Sequence, residues 1–422
     1  MKIKRDVYLN KLILRMHNKM IKVITGIRRC GKSYLLFNLF YDYLISQGVD
    51  NSHIIKIALD DIANKKYRNP DELYNFIKEQ ITDSNMYYVL LDEVQLVSEF
   101  EDVLNGLLHI NNVDTYVTGS NAKFLSKDII TEFRGRGDQI HVLPLSFSEY
   151  LSVYNGDKYS AFNEYLTYGG LPFVTSLSTH EQKTNYLTNL FEEIYIKDII
   201  NRYNIHSTDE FKELINILAS SIGSLTNPTK LEKVFKSVKH LSISANTITT
   251  FIEYLEDAFI VYKTQRYNIK GKSHIDSPFK YYFSDLGLRN ARLNFRQLEE
   301  THILENIIYN ELLYRGYSVD VGVVSTYAQS KEDSSRSKKY LEVDFVCNLA
   351  DKRIYIQSAL ALPTEEKVKQ EQNSLMNIND SFKKIIISKD CPITHYNENG
   401  ILFMNLFDFL LNIDTLSYKK AI

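Results

Sequence analysis

The sequence predicts an α/β fold with a parallel-sheet core, and three observations support that prediction. The apolar, β-branched run "IKVIT" (21–25) leads into the glycine-bracketed turn "GIRRCGKS" (26–33), after which apolar residues recur at helical spacing. The runs "HIIKIAL" (53–59) and "YYVLLD" (87–92) are also apolar, and "NPDELYNFIKEQI" (69–81) between them has the start signal of a helix. Uniformly apolar strands are typical of parallel sheets that are buried on both faces.

The turn after the first strand matches the phosphate-binding pattern G-x-x-x-x-G-K-[ST]. Gly26 and Gly31 would allow a tight turn whose backbone N–H groups approach phosphate oxygens, and the following helix N-terminus adds positive charge. Lys32 would reach the β- and γ-phosphates, and Ser33 would bind magnesium. The alternative is a chance match in a glycine turn. The predicted cofactors are ATP and Mg²⁺, and the predicted nucleotide-binding residues are Gly26, Ile27, Arg28, Arg29, Cys30, Gly31, Lys32, Ser33 and Tyr34.

An acidic pair ends the strand "YYVLLDEVQ" (87–95). Asp92 would hold magnesium, directly or through water, and Glu93 would orient and deprotonate the attacking water. The alternative is a solvated strand end. Because the pair follows a phosphate loop at the expected distance along the chain, we favour the catalytic interpretation.

Two further catalytic positions are predicted near the tips of later strands. The strand in "VDTYVTGSNAKFLS" (113–126) ends in a polar turn, from which Ser120 or Asn121 would face the γ-phosphate, unless this is a plain turn. Arg134 and Arg136 flank a glycine before the next strand, where an arginine finger would stabilise transition-state charge in cis or in trans. A finger in trans would require a homo-oligomer, whereas solvated or structural arginines would not.

Five segments in this order resemble one family. They are "GIRRCGKS", "LLDEVQ", "TGSNAKFLS", "RGRGDQIHVLPLSFSEYL" and "YLTYGGLP". The chain is similar over nearly its whole length to prokaryotic AAA-type ATP-binding proteins whose C-terminus carries a restriction-endonuclease-like domain. The resemblance implies a RecA-like parallel-sheet P-loop ATPase core over 1–145, with Lys32, Ser33, Asp92 and Glu93 in the usual roles.

Composition excludes several classes of protein. The chain has 422 residues, an ordinary globular composition with 24% charged residues, and a net charge of −2, so nucleic-acid binding would need a local basic patch. Its three cysteines form no C-x-x-C pair, which argues against a disulfide framework and a cysteine zinc site. The sequence shows neither a signal peptide nor an apolar run of about 20 residues, so we expect a cytoplasmic protein without membrane contact.

The middle of the chain predicts a helical lid over 146–205 and a winged-helix module over 206–295. Three short helices (209–222, 227–238 and 244–259) precede two strands, which is the order of a winged helix. Lysines at positions 230, 233, 236 and 239, with basic residues at 263, 266, 270, 272 and 280, would form a basic surface for DNA. The alternative is a module that packs against protein.

Residues 296–422 predict a restriction-endonuclease-like α/β domain. A helix with Glu305, a strand with Asp344 and a strand with Gln357 follow the order of a nuclease core, so these residues are a candidate second magnesium site. However, the expected E-x-K reads Gln357-Ser358-Ala359, so a carboxylate and the lysine are missing. Glu342 does not replace the lysine. A degenerate domain is therefore favoured over an active nuclease. A further strand is predicted in 381–388 and a closing helix over 401–413.

Taken together, the sequence predicts Mg-dependent ATP binding and hydrolysis, coupled to nucleic-acid binding through the winged helix. The first alternative is an ATP-binding regulatory switch that engages a protein partner through the C-terminal domain. The second alternative is an ATP-gated DNA nuclease.

Overall fold

The computed structural model describes residues 2–119, 135–239, 241–297, 299–329 and 336–416, without the side chains of 327–329, 336 and 337. The chain divides into two compact units. The first comprises Met1–Leu145, Leu171–Ser176 and Asp257–Phe259, and the second comprises Ser146–Gly170, Leu177–Glu256 and Ile260–Ile422.

The first unit is built on a parallel sheet. Its described strands are β1 (Ile21–Thr25), β2 (Ile54–Ala58), β3 (Tyr87–Asp92), β4 (Val113–Thr118) and β5 (Gly137–His141), in the order β2-β3-β4-β1-β5. All neighbouring pairs are parallel. β1 and β3 are buried along their whole lengths, as strands of a parallel sheet covered on both faces are, although β1 includes Lys22 and Thr25 and β3 ends in Asp92. The carboxyl ends of all five strands therefore lie at one edge of the sheet.

The first unit has five described α-helices. They are α1 (Asp6–Ile13), α2 (Lys32–Tyr34), α3 (Tyr41–Ser46), α4 (Pro70–Gln80) and α5 (Phe100–Leu108), with a π-helical stretch, Leu35–Phe40, joining α2 to α3. α4 begins where the sequence predicts, because the Asn69 side chain accepts a hydrogen bond from the N–H of Glu72 and Pro70 needs no donor in the first turn. Short 3₁₀ turns at 51–53, 62–68, 94–96 and 172–176 complete this unit.

The amino-terminal part of the second unit is helical. Its described helices are α6 (Phe147–Leu151), α7 (Lys158–Tyr168), α8 (His180–Asn189), α9 (Lys197–Tyr203), α10 (Thr208–Ser220), α11 (Pro228–Val234) and α12 (Ala245–Asp257). π-helical stretches follow α8 (190–196) and α11 (235–239). Along the chain, α10, α11 and α12 precede an antiparallel hairpin of β6 (Val261–Asn268) and β7 (Ser273–Phe283).

The hairpin belongs to a large mixed sheet. The remaining strands are β8 (Ser318–Gln329), β9 (Arg336–Leu349), β10 (Lys352–Ala359), β11 (Lys383–Ser388), β12 (His395–Tyr396) and β13 (Leu402–Asn405), and the order is β12-β13-β11-β10-β9-β8-β6-β7. The helices among them are α13 (Leu286–Arg292), α14 (Glu300–Tyr314), α15 (Glu365–Met376) and α16 (Leu406–Leu411). β6 pairs in parallel with β8 through Arg266–Val321 and Asn268–Val323. The predicted boundary at 295/296 therefore falls between strands of one sheet.

One buried helix start ties three segments of the second unit together. Asp285 caps α13 and accepts hydrogen bonds from the N–H groups of Leu288, at 3.0 Å, and Gly170, at 2.7 Å. A β-carbon on Gly169 would lie 2.4 Å from the Asp285 carboxylate, so this turn requires glycine. On the same helix, the buried Arg289 donates to the carbonyl of Ala219 in α10.

Most predicted elements are confirmed, and one is wrong in part. The predicted closing helix over 401–413 is split, because Leu402–Asn405 forms β13 beside β11 and only Leu406–Leu411 is helical. Asn405 makes the change by accepting a hydrogen bond from the N–H of Phe407. Within the described ranges, every helix is too short or too polar to cross a membrane.

Candidate nucleotide site and a second carboxylate cluster

The loop between β1 and α2 has the backbone shape that the phosphate-binding pattern predicts. Gly26 has a φ of 140°, and a β-carbon there would lie 2.1 Å from the carbonyl oxygen of Val142. Gly31 has a φ of 99° and begins α2. Both positions therefore need glycine, one because of a close backbone approach and one because of its left-handed conformation.

Lys32 folds back over this loop. Its side chain is buried, and its ammonium donates hydrogen bonds to the carbonyls of Gly26, at 3.0 Å, and Ile27, at 2.9 Å. The charge is therefore held against the loop rather than extended into solvent. Of the other predicted loop residues, Ile27 and Cys30 are buried, Arg28 and Tyr34 are half-buried, and Arg29 and Ser33 are exposed.

The carboxylate predicted to hold magnesium lies in a hydrogen-bonded group of side chains. Asp92, at the end of β3, is buried and accepts a hydrogen bond from the hydroxyl of Thr118, and the hydroxyl of Ser33 lies near it. Burial raises the pKa of Asp92, the two hydroxyls oppose this, and the negative charges of Glu93 and Asp60 raise it further. A buried carboxylate beside a serine hydroxyl is a donor set that fits Mg²⁺.

Glu93 is held in an uncommon backbone conformation. Its φ of 54° and ψ of 46° are left-handed, and its N–H donates to the Thr118 hydroxyl at 3.0 Å. The Gln95 side-chain amide donates to the Glu93 carboxylate. Thr118 thus contacts both members of the acidic pair, and Gln95 fixes the carboxylate of the second. Sequence reasoning missed Thr118 and Gln95. The partner of Thr118 is identifiable only once the strand order is known, whereas Gln95 lies two residues from Glu93 and could have been found from the sequence.

A histidine at the same sheet edge was also missed. The Nδ1 of His141, the last residue of β5, lies 3.2 Å from the Thr25 hydroxyl, and its ring centroid lies 4.1 Å from that of Phe259. Burial, together with the positive charges of Lys32 and Lys11, lowers the pKa of His141 to about 3. The imidazole is therefore neutral at pH 7.

The structure places Arg136 at the opposite edge of the sheet from the phosphate loop. Its carbonyl accepts a hydrogen bond from the N–H of Ile21, the first residue of β1, whereas the loop follows the last residue of β1. Arg136 is exposed at this edge. Arg136 is therefore distant from the phosphate loop of its own chain. Ser120, Asn121 and Arg134 lie outside the described residues.

A second polar cluster lies in the mixed sheet of the second unit. Glu305 on α14 and Asp344 on β9 are both buried, as the predicted nuclease-like core requires. Lys280 on β7 is buried between carboxylates, with its ammonium 2.7 Å from Glu305 and 2.8 Å from Glu342. The predicted assignment of Lys280 to a basic surface is therefore wrong, because its charge is inside the molecule.

Gln357 is hydrogen-bonded within the protein. Its side-chain oxygen accepts long hydrogen bonds from the N–H of Asp344 and the hydroxyl of Ser374, each at 3.4 Å. Across the part of the chain that the structure describes, no group of three or more His, Cys, Asp or Glu side chains is arranged to hold a metal ion. Glu305, Glu342 and Asp344 are therefore not such a group, and the metal site at Glu305, Asp344 and Gln357, which includes an amide, stays a prediction.

Two family models match consecutive parts of this chain. A family model described as "AAA domain" matches residues 18–151, and one described as "Domain of unknown function (DUF8612)" matches 159–299. An uncharacterized protein of Methanocaldococcus jannaschii is 29% identical over 390 residues, covering 87% of this chain and 84% of its own. The solved Aeropyrum pernix Orc1 protein in complex with DNA has a TM-score of 0.29 and 11% identity, covering 70% of this chain and 93% of its own.

A bacterial relative matches from end to end. An uncharacterized protein of Haemophilus influenzae is 35% identical over 418 residues, which cover 97% of this chain and 98% of the relative. The protein therefore belongs to the same family as this Haemophilus influenzae protein and carries an AAA domain in its amino-terminal part.

Proposed function

We propose that the protein binds Mg-ATP at residues 26–34 and hydrolyses it. The observation that carries this proposal is the proximity of Ser33 and Asp92, which is close enough for the serine hydroxyl to lower the pKa of Asp92. These two magnesium-binding candidates come from segments far apart in the sequence, and Ser33 directly follows Lys32, whose ammonium is held against the phosphate loop. A chance glycine turn would not bring them together.

Each residue has a defined task in the proposed reaction. The loop N–H groups and Lys32 bind the phosphates, so Lys32 exchanges its two carbonyl partners for phosphate oxygens. Ser33 and Asp92 would hold Mg²⁺, which supplies positive charge against the β- and γ-oxygens. Glu93 accepts the proton of the attacking water. Thr118 and Gln95 position Asp92 and Glu93 through the hydrogen bonds described above.

Steady-state ATP hydrolysis tests the proposal. We expect Lys32→Ala to abolish ATP binding and turnover, and Glu93→Gln to abolish turnover while ATP still binds. Glu99→Gln is the matched control, because it makes the same chemical change at an exposed residue outside the cluster. Turnover that survives Glu93→Gln would contradict the assigned base. ATP binding without turnover in the unsubstituted protein would favour the regulatory-switch alternative.

We further propose that Arg136 acts on the nucleotide of a second copy of this chain. Its position at the sheet edge opposite its own phosphate loop supports action in trans rather than in cis. Arg134, Ser120 and Asn121 remain candidates for the finger and for sensing the γ-phosphate. A mixing experiment tests the trans role: Lys32→Ala and Arg136→Ala, each inactive alone, should regain turnover together. Full activity of Arg136→Ala alone would rule out this role.

DNA binding is a second candidate function, favoured by exposed lysines. Lys233 and Lys236 lie on or just after α11, and Lys270 and Lys272 lie in the turn of the β6–β7 hairpin, and all four are exposed. Lys239, by contrast, forms an ion pair, because its ammonium lies 2.8 Å from the carboxylate of Glu213. Clustered lysines bind phosphates by counterion release, so affinity should fall steeply with salt.

Duplex binding at low salt tests this function. Lys233→Ala/Lys236→Ala should weaken binding and reduce its salt dependence, whereas the control Lys65→Ala/Lys352→Ala removes the same charge from exposed positions elsewhere. Equal weakening by both pairs would reduce the interaction to net charge. Absence of binding by the unsubstituted protein at low salt would refute the DNA proposal.

A further inference from the structure

The buried cluster around Lys280 is a place where the protein supplies its own cation. Lys280 is only 3% exposed, and its ammonium lies within hydrogen-bond distance of Glu305 and Glu342. Asp344 lies close enough to raise the pKa of Lys280, as do both glutamates, although burial opposes this. The positive charge of Lys280 thus interacts with three carboxylates, one on α14 and two on β9.

One oxygen of each carboxylate in this cluster already has a donor from the protein. One oxygen of Glu305 accepts from both Lys280 and the Tyr282 hydroxyl, the latter at 2.6 Å. One oxygen of Asp344 accepts from the N–H and the hydroxyl of Ser358, at 2.8 and 2.9 Å. Mg²⁺ is usually held by one or two carboxylates and water, so an ion bound between Glu305 and Glu342 would have to displace the Lys280 ammonium that lies there.

The lysine that the nuclease-like pattern lacks has a replacement from another strand. Position 359 on β10, where the pattern expects lysine, is Ala359, which is buried. The ammonium instead belongs to Lys280 on β7. This strand lies at one end of the sheet, and β11, β13 and β12 lie toward the other end. From β7 the ammonium reaches between Glu305 and Glu342, whereas a lysine at position 359 would extend from β10.

We infer that the Lys280 ammonium occupies the cation position of this cluster, so that the nuclease-like core does not take up a divalent metal. The cluster instead links three elements inside the protein, and we call this link the fastening. Lys280 and Tyr282 hold β7 to Glu305 on α14, and Lys280 also holds β7 to Glu342 on β9. This assignment is independent of ATP hydrolysis in the first unit.

Mn²⁺ binding to the full chain tests the inference. A Ser33→Ala/Asp92→Asn background removes the contribution of the phosphate-loop site. In this background we expect no Mn²⁺ bound at the second cluster, whereas Lys280→Ala should gain about one equivalent per chain. Lys280→Arg is the matched control, because it keeps the charge and should bind none. Mn²⁺ taken up by the background protein and lost on Asp344→Asn would overturn the inference, as would a folded Lys280→Ala variant that binds none.

A stability measurement covers the case in which Lys280→Ala does not fold. Lys280→Met should lower the melting temperature, because it leaves buried carboxylates without a cation. Adding Glu305→Gln to Lys280→Met should recover part of that loss, since one of the uncompensated charges is then removed. A melting temperature unchanged by Lys280→Met would overturn the fastening, as would a double variant less stable than Lys280→Met alone.

Discussion

At position 26, the absence of a side chain lets the phosphate loop pass against the backbone at Val142. A β-carbon would lie 2.1 Å from the Val142 carbonyl oxygen, closer than any van der Waals contact. Gly48 offers a comparison, because its φ of 83° is also left-handed but a β-carbon there would meet nothing within 4 Å.

We therefore predict different effects for alanine at the two glycines. Gly48→Ala should cost about 1 kcal/mol of stability, the usual strain of a left-handed alanine, and leave ATP binding unchanged. Gly26→Ala should abolish ATP binding, since the loop must move to relieve the collision. Fluorescent ATP-analogue titrations with denaturation curves would measure both. Retained binding by Gly26→Ala would contradict the close approach.

The sequence identified the chemistry of the candidate nucleotide site at the residue scale but not its supporting contacts. Lys32 and Ser33 are predicted from the phosphate-binding pattern, and Asp92 is predicted from its place at the end of an apolar strand. Thr118 and Lys280 carry no such signal, because each contacts residues that only the folded sheet brings near. Gln95 lies two residues from its partner Glu93, so this reason does not apply to it. For Lys280 the sequence was misleading, since a lysine among other basic residues of a hairpin resembles a surface charge.

Among the elements, α13 owes its position to a buried carboxylate that caps it. Burial raises the pKa of Asp285 to about 6 from the ordinary 3.8. This effect outweighs the hydrogen bonds that its carboxylate accepts from the N–H groups of Leu288 and Gly170, which lower the pKa. The folded state therefore holds this proton more tightly than the unfolded state. Stability from this group is fully present below about pH 4 and is lost as the pH rises to about 6.

The predicted effect is visible in a comparison with Asp285→Asn, which cannot ionise. The stability of the unsubstituted protein, minus that of Asp285→Asn, should fall by about 2 kcal/mol between pH 4 and 6 and by less than about 0.5 kcal/mol from pH 6 to 8. Denaturant titrations at each pH would measure it, with the exposed Asp276→Asn as the control. A difference that rises with pH would contradict the assigned direction.

Elements with strong local signals were predicted well, and an element defined by its neighbours was not. α4 has an Asn-Pro start and β3 is an unbroken apolar run, so each could be located from its own residues. Residues 401–413 are mostly apolar, and Asn405, the cap of α16, is the local signal that separates β13 from α16. Pairing of Leu402 and Met404 with β11 decides that the first part is a strand.

Over the whole molecule, the chain passes between its two compact units more than once. Residues Leu171–Ser176 group with the first unit although the residues on either side of them group with the second. Leu171 and Val174 are fully buried. A β-carbon on Gly31 of the phosphate loop would lie 3.7 Å from Pro172, so this returning segment belongs beside the loop.

Because Leu171–Ser176 groups with the first unit, we predict that Leu171, which lies beyond the AAA domain match, stabilises that unit. Leu171→Ala should destabilise the first unit by about 2–5 kcal/mol, the usual cost of truncating a buried leucine. Leu14→Ala is the matched control, because Leu14 is 83% exposed and its loss should change stability by less than about 0.5 kcal/mol. Loss of bound ATP analogue during urea titration would report on this unit. Equal midpoints for both variants would contradict the prediction.

The parallel pairing of β6 with β8 determines which fragments of this chain keep the mixed sheet intact. A fragment ending near residue 299, where the domain-of-unknown-function match stops, would contain the hairpin without β8. The complementary fragment would contain β8 without β6. Each would present a row of unpaired backbone N–H and C=O groups at a strand edge, which is a template for aggregation. Insolubility of such fragments would thus report on a severed sheet rather than on an unstable domain.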